Sequence, residues 1–191
     1  MANIQLALSR LSLNEGGYSK REEDAGGETF CGISRVYNPD WSGWEIIDTV
    51  QENQRNDVTL YALGLRGHVD AFLKVKFWDI SRMTEIQDQF VAEAIFDCSV
   101  LWGVETTGAW IQGIVNAIGA NRIDVDGSIG PATIAAINGV VSESVQKRNI
   151  MLDLLASERK VGHVGQVNHR PSCAGDFAGW YERACRMRGP V

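Results

Sequence analysis

What the chain lacks narrows its identity first. No stretch of its 191 residues approaches the ~18 consecutive apolar residues that a membrane-spanning helix requires. The opening residues are partly apolar, but Asn3, Gln5, Arg10 and Asn14 interrupt them. They read as an amphipathic helix and lack the basic-then-apolar layout and small-residue cleavage site of a secretory leader. Synthesis in the cytoplasm without a signal peptide is therefore expected. Basic charge is in deficit: 18 Lys and Arg stand against 24 Asp and Glu, a net charge of −6. A dense cationic surface for phosphate is missing, which argues against nucleic acid as the main partner. The four cysteines, Cys31, Cys98, Cys173 and Cys185, show neither CxxC nor Cys/His zinc spacing. They read as free, mostly buried thiols, with Cys173 and Cys185 able to bridge only outside the cytosol. His68, His163 and His169 are scattered without metal-ligand spacing, so surface or core roles are expected, and neither metal nor cofactor. Strand-like alternation is scarce, and there is no internal repeat or low-complexity linker.

What is present is helical periodicity. A chain of this length suggests one domain, or one domain with a small second lobe. It buries roughly 70% of its unfolded surface, enough for a core without staples. Ile4, Leu8 and Leu11, with Ala7 between, form one stripe of a helix over residues 2 to 13. Asn14 and Gly16-Gly17 end it. Residues 15 to 44 form a Gly-rich excursion with short extended pieces such as Thr29 to Ser34. Next, "NPDWSGWEIID" (38 to 48) reads as a turn and helix start capped by Ser42 or Asp40. From Glu45 onward the pattern is helical. Leu60 to Phe77 fits one long helix or two short ones. Further helices carry Ile86 to Ile95, Trp110 to Ile118, Ile150 to Leu155, and Phe177 to Ala184. A polar stretch at 81 to 87 is the best candidate boundary. Asp126-Gly127 predicts a tight turn, and Pro131 opens a helix with apolar face Ile134, Ala135 and Ile137. Asp124, Asp126 and Ser128 alternate like the start of a calcium loop. Yet Ile129 and Ala135 stand where such a loop needs Gly and a bidentate Glu, so calcium is not expected.

The chemistry concentrates in "NEGGYSKREEDAGGETFCGIS", residues 14 to 34. Two carboxylates, Glu15 and Asp24, each precede a pair of glycines. Breaking a glycosidic bond needs a protonated carboxylic acid in an apolar setting to protonate the leaving oxygen. Glu15, at the end of an apolar-striped helix and beside Gly16-Gly17, suits that task, since glycines allow a sugar chain to approach the backbone. Asp24 and Thr29 are the residue types that an inverting enzyme uses to hold water on the opposite face. By residue type and spacing alone, a solvated loop capping nearby turns is the plainer reading, because acid–Gly–Gly loops are common.

"EGGYS", "DAGGETFCGIS" and "NPDWSGWEIID" resemble the N-terminal signature of the glycoside hydrolase 108 family, N-acetylmuramidases found as phage endolysins and bacterial secretion-activator proteins. "AIFDCSVLWG" (94 to 103), "WIQGIVNAIG" (110 to 119), "DVDGSIGPATIAAI" (124 to 137) and "DFAGWYERACRM" (176 to 187) are similar to the helical peptidoglycan-binding module that follows in that family. The resemblance covers nearly the whole chain. It implies that Glu15 is the general acid, and similarity to phage lysozymes implies that Asp24 and Thr29 position the hydrolytic water. Glu22, Glu23 and Glu28 then read as solvated neighbours. The chain departs from many relatives at Phe30 and Cys31 in the Thr29–Ser34 segment, and at Leu101 and Trp102 after the helix Asp.

Tyr18 could stack on a sugar or hydrogen-bond Glu15, or simply pack the loop. Trp41 and Trp44 could form a sugar platform or anchor their loop. Asp97, in an apolar helix, needs a cationic partner such as Arg35, or else faces the cleft. Arg183, Arg186 and Arg188 read as a solvated basic face that could aid adhesion to an anionic envelope. The candidate substrate-binding set is Tyr18, Gly26, Gly27, Trp44, Asp97 and Trp102. The expected fold is mainly α, lysozyme-like and two-lobed, with a small Gly-rich loop/β region near the N-terminus. Residues 1–84 form the catalytic lobe and 85–191 the peptidoglycan-binding-type lobe. The expected protein is a monomeric muramidase acting on peptidoglycan glycan strands in the periplasm, released through a holin or similar route. The alternatives are a lytic transglycosylase using the same Glu, or a non-catalytic wall-binding accessory protein.

Overall fold

The computed structural model describes residues 1–11, 17–20 and 27–187. The described chain is mainly helical, with one small antiparallel sheet near the N-terminus, as expected. It divides into two compact units, Leu8–Lys76, and Met1–Ala7 with Phe77–Val191. Helix α1 (Ile4–Leu11) belongs to both, and buries Ala7, Leu8 and Leu11 as its stripe predicts.

In the Leu8–Lys76 unit, strands β1 (Tyr18–Lys20), β2 (Glu28–Phe30) and β3 (Ile33–Ser34) pair in sequence order. Tyr18 faces Phe30, Ser19 faces Thr29 and Lys20 faces Glu28, while Phe30 also pairs with Ile33. The β2–β3 connection is therefore two residues long, Cys31-Gly32, and both have positive φ, 48° and 78°. A two-residue hairpin needs this geometry to match strand twist; glycine adopts it freely, whereas Cys31 carries the strain. Helices α2 (Gly43–Asp48), α3 (Asp57–Ala62) and α4 (Leu65–Leu73) follow. Ser42 is at the α2 N-cap as expected, but its side chain caps nothing; the hydroxyl lies 2.8 Å from Nδ1 of His68. Gly64, at φ 80°, separates α3 from α4 and resolves the long apolar periodicity into two short helices. Phe30, Ile33, Trp44, Ile47, Leu60, Leu65 and Val69 form the core of this unit.

The other unit is built on α5 (Gln89–Trp102), α6 (Val104–Ile118), α7 (Pro131–Glu143), α8 (Val145–His169) and α9 (Phe177–Cys185). The N-terminus is tied into it by Ala2 N–H donating to Ile86 O at 2.9 Å and Asn3 N–H donating to Gln89 Oε1 at 2.6 Å. Helix α5 is the central element: Val91 through Phe96, then Cys98 and Ser99, are all buried, the all-round burial of a helix surrounded by others. Two faces depart from expectation. In α7, Ala135 is exposed and Thr133 and Val140 complete the buried face with Ile134 and Ile137. In α8, Met151 and Leu155 are buried while Ile150 and Leu154 are exposed, so the apolar run there was wider than the face that packs.

Gln112 of α6 holds the connection to α7. Its Nε2 donates to Asp126 Oδ1 at 2.7 Å and Ser128 O at 2.9 Å, and its Oε1 accepts from Gly127 N–H at 2.8 Å. Gly127 has φ 77°, the tight turn that the Asp-Gly pair predicts. Here the backbone comes so close to α6 that a Cβ on Gly108 would meet Gly127 O at 2.0 Å. None of the four cysteines forms a disulfide; Cys31 and Cys98 are buried and Cys185 is exposed.

Asp97 of α5 is met by two guanidiniums. Arg159 of α8 donates from Nη1 to Oδ2, and Arg183 of α9 donates from Nε to Oδ1 at 3.2 Å and also from Nη2. Burial alone would push this carboxyl up, but Arg159 and Arg183 outweigh it and hold it below the ordinary carboxylate range. The expected partner Arg35 is not involved. Arg183 is accordingly not part of a solvated face: its side chain is 14% exposed. Arg186 is exposed and pairs with Glu182, and Arg188 lies outside the described residues.

Two outcomes are expected. Asp97→Ala strands two buried cations and should lower unfolding free energy by about 3–5 kcal/mol at neutral pH. The native carboxyl titrates low, so this stabilisation is complete above about pH 5 and fades as pH falls through the lower native value. Denaturant titrations at neutral and acid pH should show the wild-type advantage shrinking in acid. Gly108→Ala forces α6 off the 127 turn and should cost about 1–3 kcal/mol, read as a lowered Tm.

Candidate active site

Glu15, Gly16, Asp24 and Gly26 lie outside the described residues. Their described neighbours show the local framework. Thr29 is the middle residue of β2, half-buried, paired with Ser19 and Ser34, and its Oγ1 donates to Gly27 O at 3.3 Å. Gly27 has φ 61°, and a Cβ there would stand 3.1 Å from Val36 Cγ2, so both backbone and space favour glycine.

The second glycine of the Glu-Gly-Gly-Tyr motif has a role that the sequence did not indicate. A Cβ on Gly17 would fall 2.0 Å from the carboxylate of Asp57, the first residue of α3. That carboxylate accepts from the Tyr18 N–H at 2.6 Å. Gly17 thus lets Asp57 approach and pin the start of β1.

Glu28 is a centre of this unit, contrary to the expectation of a solvated neighbour. Its side chain is 9% exposed. Oε1 accepts from Arg55 Nη1 and from the Tyr18 hydroxyl, each at 2.7 Å, and Oε2 lies 2.8 Å from Arg35 Nε. Asp48, at the end of α2, takes a bidentate pair from Arg35 at 3.0 and 2.8 Å and a further contact from Arg55 at 3.3 Å. Burial, then the hydrogen bond to Glu28, pushes the Tyr18 phenol up, while the Arg35 hydrogen bond holds Asp48 below the usual carboxylate range. Tyr18 therefore commits its hydroxyl to Glu28. The network ties β1 and β2 to α2 and to the loop before α3. Its members are far apart in sequence, Arg55 being 27 residues from Glu28, so no local pattern announces them.

Trp41 and Trp44 anchor their loop. They are 7% and 3% exposed and meet edge to face, with centroids 4.9 Å apart. Trp44 Nε1 donates to Asn38 O at 2.7 Å and Trp41 Nε1 to His68 O at 3.3 Å, while the Arg35 guanidinium covers the Trp44 ring at 4.5 Å. Trp44 in the core and Asp97 between its two arginines both hold the fold. A groove of about 390 Å³ opens beside this loop, lined by Tyr37, Asp40, Ser42, His68, Phe72 and Lys76. Trp102, at the end of α5, is half-buried in the other unit. Among the described residues, no group of three or more His, Cys, Asp or Glu side chains is placed to hold a metal.

The fold as a whole recurs in a solved structure. The chain is similar to SagA from Brucella abortus at 18% identity and a TM-score of 0.61, over 97% of this chain and 91% of that one. At that identity the likeness shows the fold, which is mainly α and lysozyme-like. No curated protein matches the chain. The family model for glycosyl hydrolase 108 matches residues 8–103, just over half of the chain and inclusive of the Glu-Gly-Gly-Tyr motif, the sheet and the Glu28 network. On that match the chain belongs to the glycosyl hydrolase 108 family, and it is a glycoside hydrolase acting on peptidoglycan.

Proposed function

We propose that the protein is an N-acetylmuramidase that hydrolyses the β-1,4 bond between N-acetylmuramic acid and N-acetylglucosamine. Glu15 protonates the leaving oxygen, and Asp24, helped by Thr29, activates water from the opposite face, with inversion at the anomeric carbon. The observation that carries this reading is the family match over residues 8–103, which contains Glu15, Asp24 and Thr29 in one motif series. The framework around them supports it. Thr29 is held at the centre of a three-stranded sheet, and the chain on either side of the Asp24 segment is clamped by the Lys20–Glu28 pairing and the Arg35–Glu28–Arg55 network.

In this reading residues 1–84 carry the catalysis and residues 85–191 hold peptidoglycan. Gly26, Gly27 and Trp102 contribute to substrate contact. An endolysin made in the host cytoplasm, monomeric, and released to the periplasm through a holin fits this activity. None of the described helices is long and apolar enough to cross a membrane.

Glu15→Gln removes the proton donor and leaves the side-chain volume. It should lower the rate of clearing of purified sacculi by about 10²–10⁴-fold, with an unchanged circular dichroism spectrum. If the variant clears as fast as the wild type, Glu15 is not the acid. Mass spectrometry of the wild-type digest should find reducing muramic ends. A 1,6-anhydro muramic end would instead establish a transglycosylase.

A further inference from the structure

The groove of about 390 Å³ beside the Trp41–Trp44 loop lies wholly within the Leu8–Lys76 unit. One wall is the loop from Tyr37 to Ser42. The other is the face of α4, and of the helical turn after it, that carries His68, Phe72, Val75 and Lys76. Across the groove Ser42 Oγ and His68 Nδ1 stand 2.8 Å apart. Ser42 is exposed and His68 half-buried, so both side chains are open to a molecule that enters.

The fold gives the Ser42 hydroxyl no capping task. A serine at an N-cap ordinarily accepts from the first turn of its helix. Ser42, at φ −58° and ψ −18°, caps nothing, and its hydroxyl is turned on the imidazole instead. The pair is held in register by the residue before Ser42. Trp41 Nε1 donates to the His68 carbonyl at 3.3 Å, and Trp41 is itself buried against Trp44. A Cβ on Gly43 would meet Trp41 Cη2 at 2.3 Å, so glycine at 43 lets the indole lie there.

When Oγ donates, Nδ1 is the bare nitrogen of the ring. A hydroxyl bonded to a bare imidazole nitrogen is the arrangement of a nucleophile and its general base. Phe72 and Val75 give the groove an apolar side for a short acyl group, and Tyr37, 71% exposed, offers a ring face to a sugar. Lys76 is the one ammonium on the lining. A single cation near the developing oxyanion suits an ester, whose alkoxide leaves more readily than the nitrogen of an amide.

We propose that this groove is a second, esterase site that removes acetyl groups from sugar hydroxyls of the glycan strand. Ser42 Oγ attacks the acetyl carbonyl carbon while its proton passes to His68 Nδ1. The bond from that carbon to the sugar oxygen breaks, and His68 returns the proton to the oxygen. Water then attacks acetyl-Ser42 with His68 taking its proton, and acetate leaves as Ser42 regains its hydrogen. The choice of a sugar ester rests on the peptidoglycan reading above.

The test uses the full-length protein with two probes, p-nitrophenyl acetate and sacculi whose muramic hydroxyls carry acetyl esters. Wild type should release p-nitrophenolate from the first and acetate from the second. Ser42→Ala and His68→Gln should each slow both reactions by about 10²-fold or more. Ser42→Ala should keep the wild-type Tm and the wild-type clearing of unacetylated sacculi. A fluorophosphonate, which caps activated serines covalently, should label wild type on Ser42, located by peptide mass spectrometry, and should not label His68→Gln. Equal acetate release by wild type and Ser42→Ala overturns the proposal, as does a wild-type protein left unlabelled at Ser42. Wild-type clearing of sacculi with no acetate release defeats this inference and leaves the muramidase reading standing. Acetate release that Ser42→Ala abolishes, with no difference in clearing between wild type and Glu15→Gln, does the reverse.

Discussion

A carboxylate removed from water must be met by cations, and each compact unit of this protein is organised around one that is. In Leu8–Lys76 it is Glu28, between Arg35 and Arg55. In the other unit it is Asp97, between Arg159 and Arg183. Net gain from a buried ion group is modest, because desolvation offsets much of the attraction. Removing one member, however, leaves an uncompensated charge, so the group fixes which elements must meet. Glu28 specifies that β2 lies against the residues around α2 and the start of α3. Asp97 specifies that α5, α8 and α9 converge. Apolar packing supplies most of the driving force in both units, but it tolerates sliding; a guanidinium fork on a carboxylate does not.

The glycines of the motif region act under the same constraint of close approach. Gly17 admits the Asp57 carboxylate, and Gly27 accommodates Val36 at positive φ. The aromatic side chains of the region, Tyr18, Trp41 and Trp44, are occupied with holding the fold.

Much of the fold was legible in the chain itself. The stripe of α1, the extended piece from Thr29 to Ser34, the Asp126-Gly127 turn and Pro131 at the start of α7 all follow from local rules, whereas the choice between one helix and two over Leu60 to Phe77 was left to Gly64. Local rules failed where the burying face depended on a neighbour. Ile150 and Leu154 have the spacing of a core stripe, yet α8 turns Met151, Leu155 and Arg159 inward, because Asp97 of α5 needs that arginine. A charge was read as solvent-facing at Glu28 and at Arg183 for the same reason: the default for an isolated ionic residue is exposure, and the partner that reverses it lies dozens of residues away.

The sequence by itself determined the helical class, the turns and the motif series that places the chain in its family, since these depend on residue type and short spacing. Tertiary structure decided the partners. It assigned Asp97 to Arg159 and Arg183 in place of Arg35, turned Trp41 and Trp44 into loop anchors, and brought Trp102, His163 and Trp180 into one aromatic cluster. Spacing along the chain records which side chains share a face. Only folding determines what stands opposite that face, and a charge or an indole N–H takes its meaning from what it meets.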